Sequence, residues 1–356
     1  MIGEPGPTAA EQVAFLGRIE RLLSEGQFVA TYKYALLVAI ADLAVRLGRD
    51  DGSELDLPVR LIAEQFIELY WRQCAPYGQG VADGTYSTLM QNTGRQASMI
   101  DIVEKLRSRF PTLTLARASK SWNGAVTRAA QLIDKMPLWR LQLLRNETLE
   151  FLYAKSPIRG NIRLKSGIAA NLRQFHGMII RLAQSEWLRF IQALPRNASL
   201  LGATSDLAQF LFGAERIALN RMIEPLADIQ RGLCLYCRRR VEVGEIDHFV
   251  PWSRYPRDLA HNLTLAHKDC NRQKSALLPA EAHLERWMQR NEDHASAIGD
   301  AGRHAGIPVD LSAATRVAAW AYAHGAGLRT SVWVAGDHVE HLTDQWRSLL
   351  LPLALP

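Results

Sequence analysis

Between positions 234 and 279 the chain reads CLYCRRRVEVGEIDHFVPWSRYPRDLAHNLTLAHKDCNRQKSALLP. Two pairs of soft ligands stand out, Cys234 with Cys237 and His267 with Cys270, each pair separated by two residues. A two-residue spacer lets one chain turn offer two donors to the same ion, and three thiolates with one imidazole complete a tetrahedron around zinc. Such a site is closed to water, so the Zn2+ it predicts is structural and not catalytic. The alternative, four unlinked residues, requires both spacings to arise by coincidence. The remaining cysteine, Cys74, sits alone in a helical pattern and reads as a small buried hydrophobe. Clustered cysteines of this kind do not make the framework of a secreted disulfide protein.

A second group is Asp247 beside His248, then Asn262, then Asn271 with Arg272 and Lys274 beyond it. Hydrolysing a phosphodiester requires a base to deprotonate water, a cation to offset charge on the phosphate and leaving oxygen, and a frame to align them. A neutral histidine accepts a proton near neutral pH, which suits His248 to the first task. Asp247 is a hard oxygen donor of the type preferred by Mg2+ or Mn2+, and Asn271 adds an amide oxygen for the same ion. Arg272 and Lys274 are placed to meet phosphate. Taken singly, His248 also suits a core histidine, Asp247 a turn and Asn271 a helix cap. Their joint occurrence with the paired knuckles points to hydrolysis.

Positioning these groups takes two strands and a helix. Residues 241–250 are rich in β-branched types broken by Gly244, 263–266 form a short apolar run, and 269–277 suit a helix with Asp269 as its cap. Zinc bound through Cys270 would pin the first helical turn near the strand end that bears Asp247 and His248. The run Arg238, Arg239 and Arg240 fits either phosphate contact or a solvated turn. Trp252 and Tyr255, with Arg254 and Arg257, fit base stacking or packing beneath a loop.

The segment resembles the HNH, or ββα-metal, nuclease family in its subgroup with paired zinc knuckles. The resemblance covers about 50 of 356 residues. It rests on Asp247, His248 and Pro251 in an Asp-His-x-x-Pro run, and on Asn271, Arg272, Lys274 and Ser275 in an Asn-Arg-x-Lys-Ser run, which are also similar to the HNH domain of RNA-guided CRISPR nucleases. The resemblance implies His248 as general base, Asp247 and Asn271 as ligands of the catalytic ion, and Asn262 as the residue that fixes the loop and the orientation of the histidine. It also implies products with a 5′-phosphate and a 3′-hydroxyl. The chain departs from many family members in carrying Asn271, where histidine is common, and Ser275, where a further histidine often follows. It carries His267 where a cysteine is common, and an alternative has that histidine facing the catalytic ion.

Away from this segment the chain reads as helical. From residue 11 to about 194 apolar residues recur at helical spacing, divided by Pro and Gly clusters at 48–52, 76–84 and 157–160, with one short strand expected at 161–166. A long helix is expected over 170–194, a lead-in helix over 206–229 and another over 280–290. Residues 291–306 read as a loop, and the rest as a helix, a strand at 328–334 and a closing helix. The expected fold is therefore mainly α: a helical recognition or regulatory region at 1–199, the ββα nuclease domain with its lead-in helix at 200–290, and a short α/β tail at 291–356.

The net charge of +6 favours polyanionic partners. Nine Arg and Lys against five Asp and Glu give +4 between residues 231 and 279 alone. Nucleic acid, with DNA favoured over RNA, is the expected partner; the helical region is expected to serve recognition, control or docking of a regulatory or targeting protein, and a homo-oligomer is one way to bring two sites to a double-strand break. The apolar run 34–45 contains Asp42 and is too short to cross a membrane. Without a signal-peptide pattern, the expected location is the cytoplasm. The sequence thus predicts a metal-dependent DNA endonuclease acting in defence against phage or plasmid. The competing expectations are a catalytically silent zinc-stabilised binding or scaffold protein and an RNA-cleaving toxin.

Overall fold

The computed structural model describes residues 6–77, 88–144, 147–201, 207–213 and 219–354, side chains aside at 351–354. Two compact units divide the chain, Met1–Gly213 and Ala214–Pro356.

The first unit is built around the apolar run at 34–45. Helix Tyr32–Leu47 is buried at every position from Lys33 to Val45, as expected of a helix that is apolar all round. Asp42 is accommodated there by Arg46, one turn later at 3.7 Å. Helices Val59–Gln73, Ile168–Gln174 and His176–Ala193 pack on this central helix, and Ser98–Arg107 and Ser121–Lys135 pack on Val59–Gln73. No helix among the described residues is long and apolar enough to cross a membrane.

Three departures from the sequence-based expectation concern this unit and the chain leading out of it. Leu57, read as part of a helical pattern, lies in strand β1 (Leu55–Pro58). With β2 (Tyr153–Lys155) and β3 (Asn161–Leu164) it forms an antiparallel sheet in the order β1-β3-β2. Leu57 faces Ile162 across the sheet, and Arg163 reaches Asp56 at 2.7 Å. The helix expected over 170–194 is two helices that meet at Phe175, whose backbone leaves the helical region (φ −106, ψ 16). There tertiary contacts override local propensity: Arg173 is drawn to Asp50 at 2.6 Å and to the carbonyl of Val45 at 2.7 Å. The lead-in helix expected over 206–229 appears as Leu207–Phe212 and Ile223–Ile229; residues 206 and 214–218, like 78–84 of the expected break at 76–84, lie outside the described residues.

In the second unit β4 (Gly244–His248) pairs antiparallel with β5 (Leu263–His267), from Gly244 opposite His267 to His248 opposite Leu263. Helix Lys268–Lys274 follows β5 without a loop, giving the ββα order. Asp269 is not its cap; His267 occupies that position, and Asp269 pairs with Arg272 at 2.8 Å instead. Beyond it, β6 (Leu278–Pro279) runs parallel to β7 (Ser331–Ala335), which pairs antiparallel with β8 (His338–His341).

The expected loop at 291–306 is helical, covered by Glu281–Asp293 and Ala295–Ala305. Its glycines serve close packing. A Cβ at Gly302 would stand 2.6 Å from that of Ala260, so the helix can lie against the turn Ala260–Asn262 only without one. The residues at 291–356 accordingly pack within the same unit as the ββα element: Ile298, Ala305 and Ile307 share a core with Met222, Leu226, Leu263 and Leu265. The basic surplus lies elsewhere. Residues 1–213 hold 25 Arg and Lys against 19 Asp and Glu, whereas residues 214–356 hold 17 of each, so the +4 at 231–279 is offset within its own unit.

Candidate functional site

The two knuckles meet. The first is a tight turn in which the N–H of Cys234 donates to the carbonyl of Arg239 (3.0 Å) and that of Arg238 to the carbonyl of Cys234 (3.1 Å), with Arg238 left-handed at φ +63. The second joins the last residue of β5, His267, to the first turn of helix Lys268–Lys274, which holds Cys270. The ligand atoms of Cys234, Cys237, His267 and Cys270 all lie within 4.8 Å of one another. Zinc at about 2.3 Å from each thiolate requires sulfurs somewhat under 4 Å apart, so the donor set fits that ion. The imidazole is already oriented: Nε2 of His267 donates to the carbonyl of Arg240 (3.0 Å), which turns Nδ1 toward Sγ of Cys237 (3.2 Å). Burial, with the neighbouring Cys234 and Cys237, pushes the Cys270 thiol up to about 12. A bound cation reverses that balance and fixes the thiolates.

Asp247 and His248 close β4, next to each other and facing opposite sides of the strand. Oδ2 of Asp247 accepts from the hydroxyl of Tyr236 at 2.5 Å and from Nζ of Lys274 at 3.2 Å. Burial pushes the carboxyl of Asp247 up, against the opposing pull of Lys274 and Tyr236. His248 donates through Nε2 to Oδ1 of Asp258 at 2.7 Å, and its ring packs against Trp252 with centroids 5.2 Å apart. With Nε2 so occupied, Nδ1 is the ring nitrogen that carries the lone pair whenever the imidazole is neutral.

Asn262 grips the backbone on both sides of a single residue: Oδ1 accepts from the N–H of Val250 (2.8 Å) and Nδ2 donates to its carbonyl (3.0 Å). Its own carbonyl receives the N–H of Phe249. The residues just after His248 are thereby tied to the start of β5. Asn271 donates to Glu245 at 3.2 Å, a residue that lies two positions before Asp247 and therefore on the same face of β4. Helix and strand are thus joined by two links, Asn271 to Glu245 and Lys274 to Asp247, one helical turn apart.

The basic residues divide. Arg238, Arg239 and Arg240 are exposed beside the first knuckle, and Arg272 is exposed while paired to Asp269. Arg254 is partly buried and donates to the carbonyl of Ala276 at 3.4 Å, and Arg257 is likewise partly buried. Lys274, expected to meet phosphate, is instead fully buried, with Nζ on Asp247 and on the carbonyl of His248 (3.1 Å). Solvent and substrate do not reach it. Of Trp252 and Tyr255, the latter is buried, which favours packing over stacking for that ring.

Sequence reasoning missed Asp258, Glu245 and Tyr236. The signal for Glu245 was present in its two-residue spacing from Asp247 on a strand. Asp258 lies in the long loop between the strands, where spacing carries no such information.

A family model described as Domain of unknown function (DUF8808) matches residues 12–211, and one described as HNH endonuclease matches residues 234–277. The chain belongs to the DUF8808 family and carries an HNH endonuclease domain. No curated protein matches the chain, and no solved structure matches it. The matched HNH segment begins at the first ligand of the knuckles and runs three residues past Lys274, so it contains both halves of the candidate site. The DUF8808 match falls within the helical first unit and leaves the HNH domain outside it.

Proposed function

We propose that this DUF8808-family chain is a metal-dependent endonuclease that hydrolyses phosphodiester bonds in DNA, with the HNH domain as its catalytic part and zinc as its brace. The observation that carries the reading is the bond from Nε2 of His248 to Asp258 beside Asp247. It holds one ring nitrogen as a donor and leaves the other free to take a proton.

His248 acts as general base through Nδ1. Asp258 holds the ring in the required tautomer and favours the imidazolium that forms, as the buried carboxylate does in other histidine-based sites. Asp247 and Asn271 would hold Mg2+ or Mn2+, and Glu245, bonded to Asn271, orients that amide. The chemistry of the residues fits such an ion: a carboxylate with one oxygen engaged and the other without a hydrogen bond among the described residues, and an amide whose nitrogen is engaged by Glu245 on the same strand face as that carboxylate, offer hard oxygens only. When bound, the ion supplies charge against the phosphate and the leaving oxygen. Asn262 keeps the backbone after His248 in place, and Arg238, Arg239, Arg240 and Arg272 are among the exposed cations that can meet backbone phosphates, the last by exchanging its partner Asp269.

Asp258→Asn tests the assignment of the base. The amide cannot act as a charged acceptor, and it allows the ring to adopt the other tautomer. Turnover should fall about 10- to 100-fold with KM for DNA little changed and zinc content intact, and Asp258→Glu should restore part of it. Equal turnover in Asp258→Asn would remove Asp258 from the mechanism.

The substrate is settled by end-labelled duplex DNA, single-stranded DNA and RNA, each incubated with full-length zinc-loaded protein and Mg2+ or Mn2+ beside an EDTA control. Cleavage of DNA leaving 5′-phosphate ends supports the reading. Cleavage of RNA alone moves the substrate to RNA, and inertness toward all three with metal present contradicts a nuclease. Because unrestrained cutting endangers the host's own DNA, we assign the DUF8808 region to recognition or control, in a nuclease directed at phage or plasmid DNA. Identical phage plating and plasmid transformation with wild type and His248→Ala would remove the defensive role.

A further inference from the structure

Tyr236 lies between the two cysteines of the first knuckle, a position from which a side chain can point to solvent at little cost. Here it is buried, and three parts of it are fixed separately. Its ring meets His283 edge-on at 5.4 Å and Trp333 edge-on at 5.3 Å, and those two rings stack on each other at 5.3 Å. Its carbonyl accepts from Arg286 at 3.1 Å, as does that of Leu235. Its hydroxyl donates to Oδ2 of Asp247 at 2.5 Å.

Oδ2 therefore holds two donors, the phenol of Tyr236 and the ammonium of Lys274 at 3.2 Å. Oδ1 makes no hydrogen bond among the described residues. A carboxylate held in this way presents one oxygen in one direction, and its rotation toward a bidentate arrangement would break both bonds. The holding groups come from different places: Lys274 from the last turn of the site helix, and Tyr236 from the knuckle that carries Cys234 and Cys237.

We propose that Tyr236 is a positioning residue that transmits the rigidity of the zinc knuckle to Asp247, so that the carboxylate meets the catalytic cation through Oδ1 alone. This rests on the metal-dependent nuclease reading above. The aromatic box around Tyr236 is part of the same device. His283 and Trp333 belong to a helix and a strand that follow the matched HNH segment, so the residues after 277 help to set the geometry of a ligand before it. Indirect support of a metal ligand is of value because an oriented ligand loses less freedom on binding, and loss of such a partner weakens metal affinity.

The test is Tyr236→Phe in the full-length zinc-loaded protein, since phenylalanine keeps the ring in its box and removes only the hydroxyl. Mn2+ binding is followed by electron paramagnetic resonance, with Asp247→Asn as the variant that loses the ligand. Zinc content and melting temperature are recorded for each. The expected result is Mn2+ affinity about tenfold weaker in Tyr236→Phe, with a matching rise in the Mg2+ needed for half-maximal nicking and one zinc per chain retained. A role confined to folding would lower the melting temperature and leave the Mn2+ affinity of the folded protein unchanged. Unchanged affinity in Tyr236→Phe, in a wild type that binds Mn2+ through Asp247, overturns the inference and leaves the nuclease reading standing. A wild type whose Mn2+ binding is indifferent to Asp247→Asn overturns the nuclease reading's metal assignment, and this inference with it.

Discussion

Stripping zinc from the protein, or replacing Cys270 with serine, should unfold the segment from the first knuckle through helix Lys268–Lys274 and abolish nuclease activity. That helix has seven residues, far below the length at which a helix persists alone in water. Its hold on the strands comes from Cys270, from Asn271 on Glu245 and from Lys274 on Asp247. Structural zinc contributes on the order of 10 kcal/mol to folding in small domains, which equals or exceeds the net stability of many whole domains, about 5 to 15 kcal/mol. Hydrogen exchange reads the outcome: amides of residues 231–275 should lose protection in the stripped protein and regain it when zinc is returned, while those of helix Tyr32–Leu47 stay protected. Retained protection at 263–274 without zinc would mean that packing alone holds the ββα element.

His248→Ala should lower the rate of DNA cleavage about 100- to 10,000-fold, the range associated with loss of a positioned general base. The fold should tolerate the change. His248 is at the end of β4, the backbone around it is secured by Asn262 on Val250 and by Lys274 on the carbonyl of residue 248 itself, and neither contact uses the imidazole. Zinc content and Mn2+ affinity should remain near those of wild type, which separates loss of the base from loss of the site. A variant that binds zinc and Mn2+ normally and still cuts at the wild-type rate would assign the base elsewhere.

Much of the candidate site was legible because its spacing is short-range. Two residues between Cys234 and Cys237, and between His267 and Cys270, are distances one turn can close, and the structure brings all four together. The ββα order followed from a run rich in β-branched residues at 241–250, a short apolar run at 263–266 and a segment at 269–277 that suits a helix. What remained hidden depends on contacts between distant residues. Lys274 follows Asn271 and Arg272 like a phosphate ligand, but three residues along a helix places it on the face turned to β4, where Asp247 takes it out of solvent. The link between Asp258 and His248 crosses a loop whose path no local pattern dictates. In the first unit the alternation at 161–166 showed β3, but β1 and β2, of four and three residues, carried no such pattern, and β1 pairs with β3 about a hundred residues later. The helix Ala295–Ala305 was concealed by glycines such as Gly302, which lets it approach residue 260, since glycine away from its packing partner looks like a loop signal.

Whether the HNH domain cuts is open to one direct measurement. Supercoiled plasmid incubated with purified full-length protein and Mg2+ or Mn2+, beside EDTA and His248→Ala arms of equal zinc content, measures this directly. Conversion to nicked circles that requires the metal and disappears in His248→Ala is the predicted result. Metal-dependent nicking that persists undiminished in His248→Ala, or no nicking from a zinc-loaded protein that binds both Mn2+ and the plasmid, would contradict it.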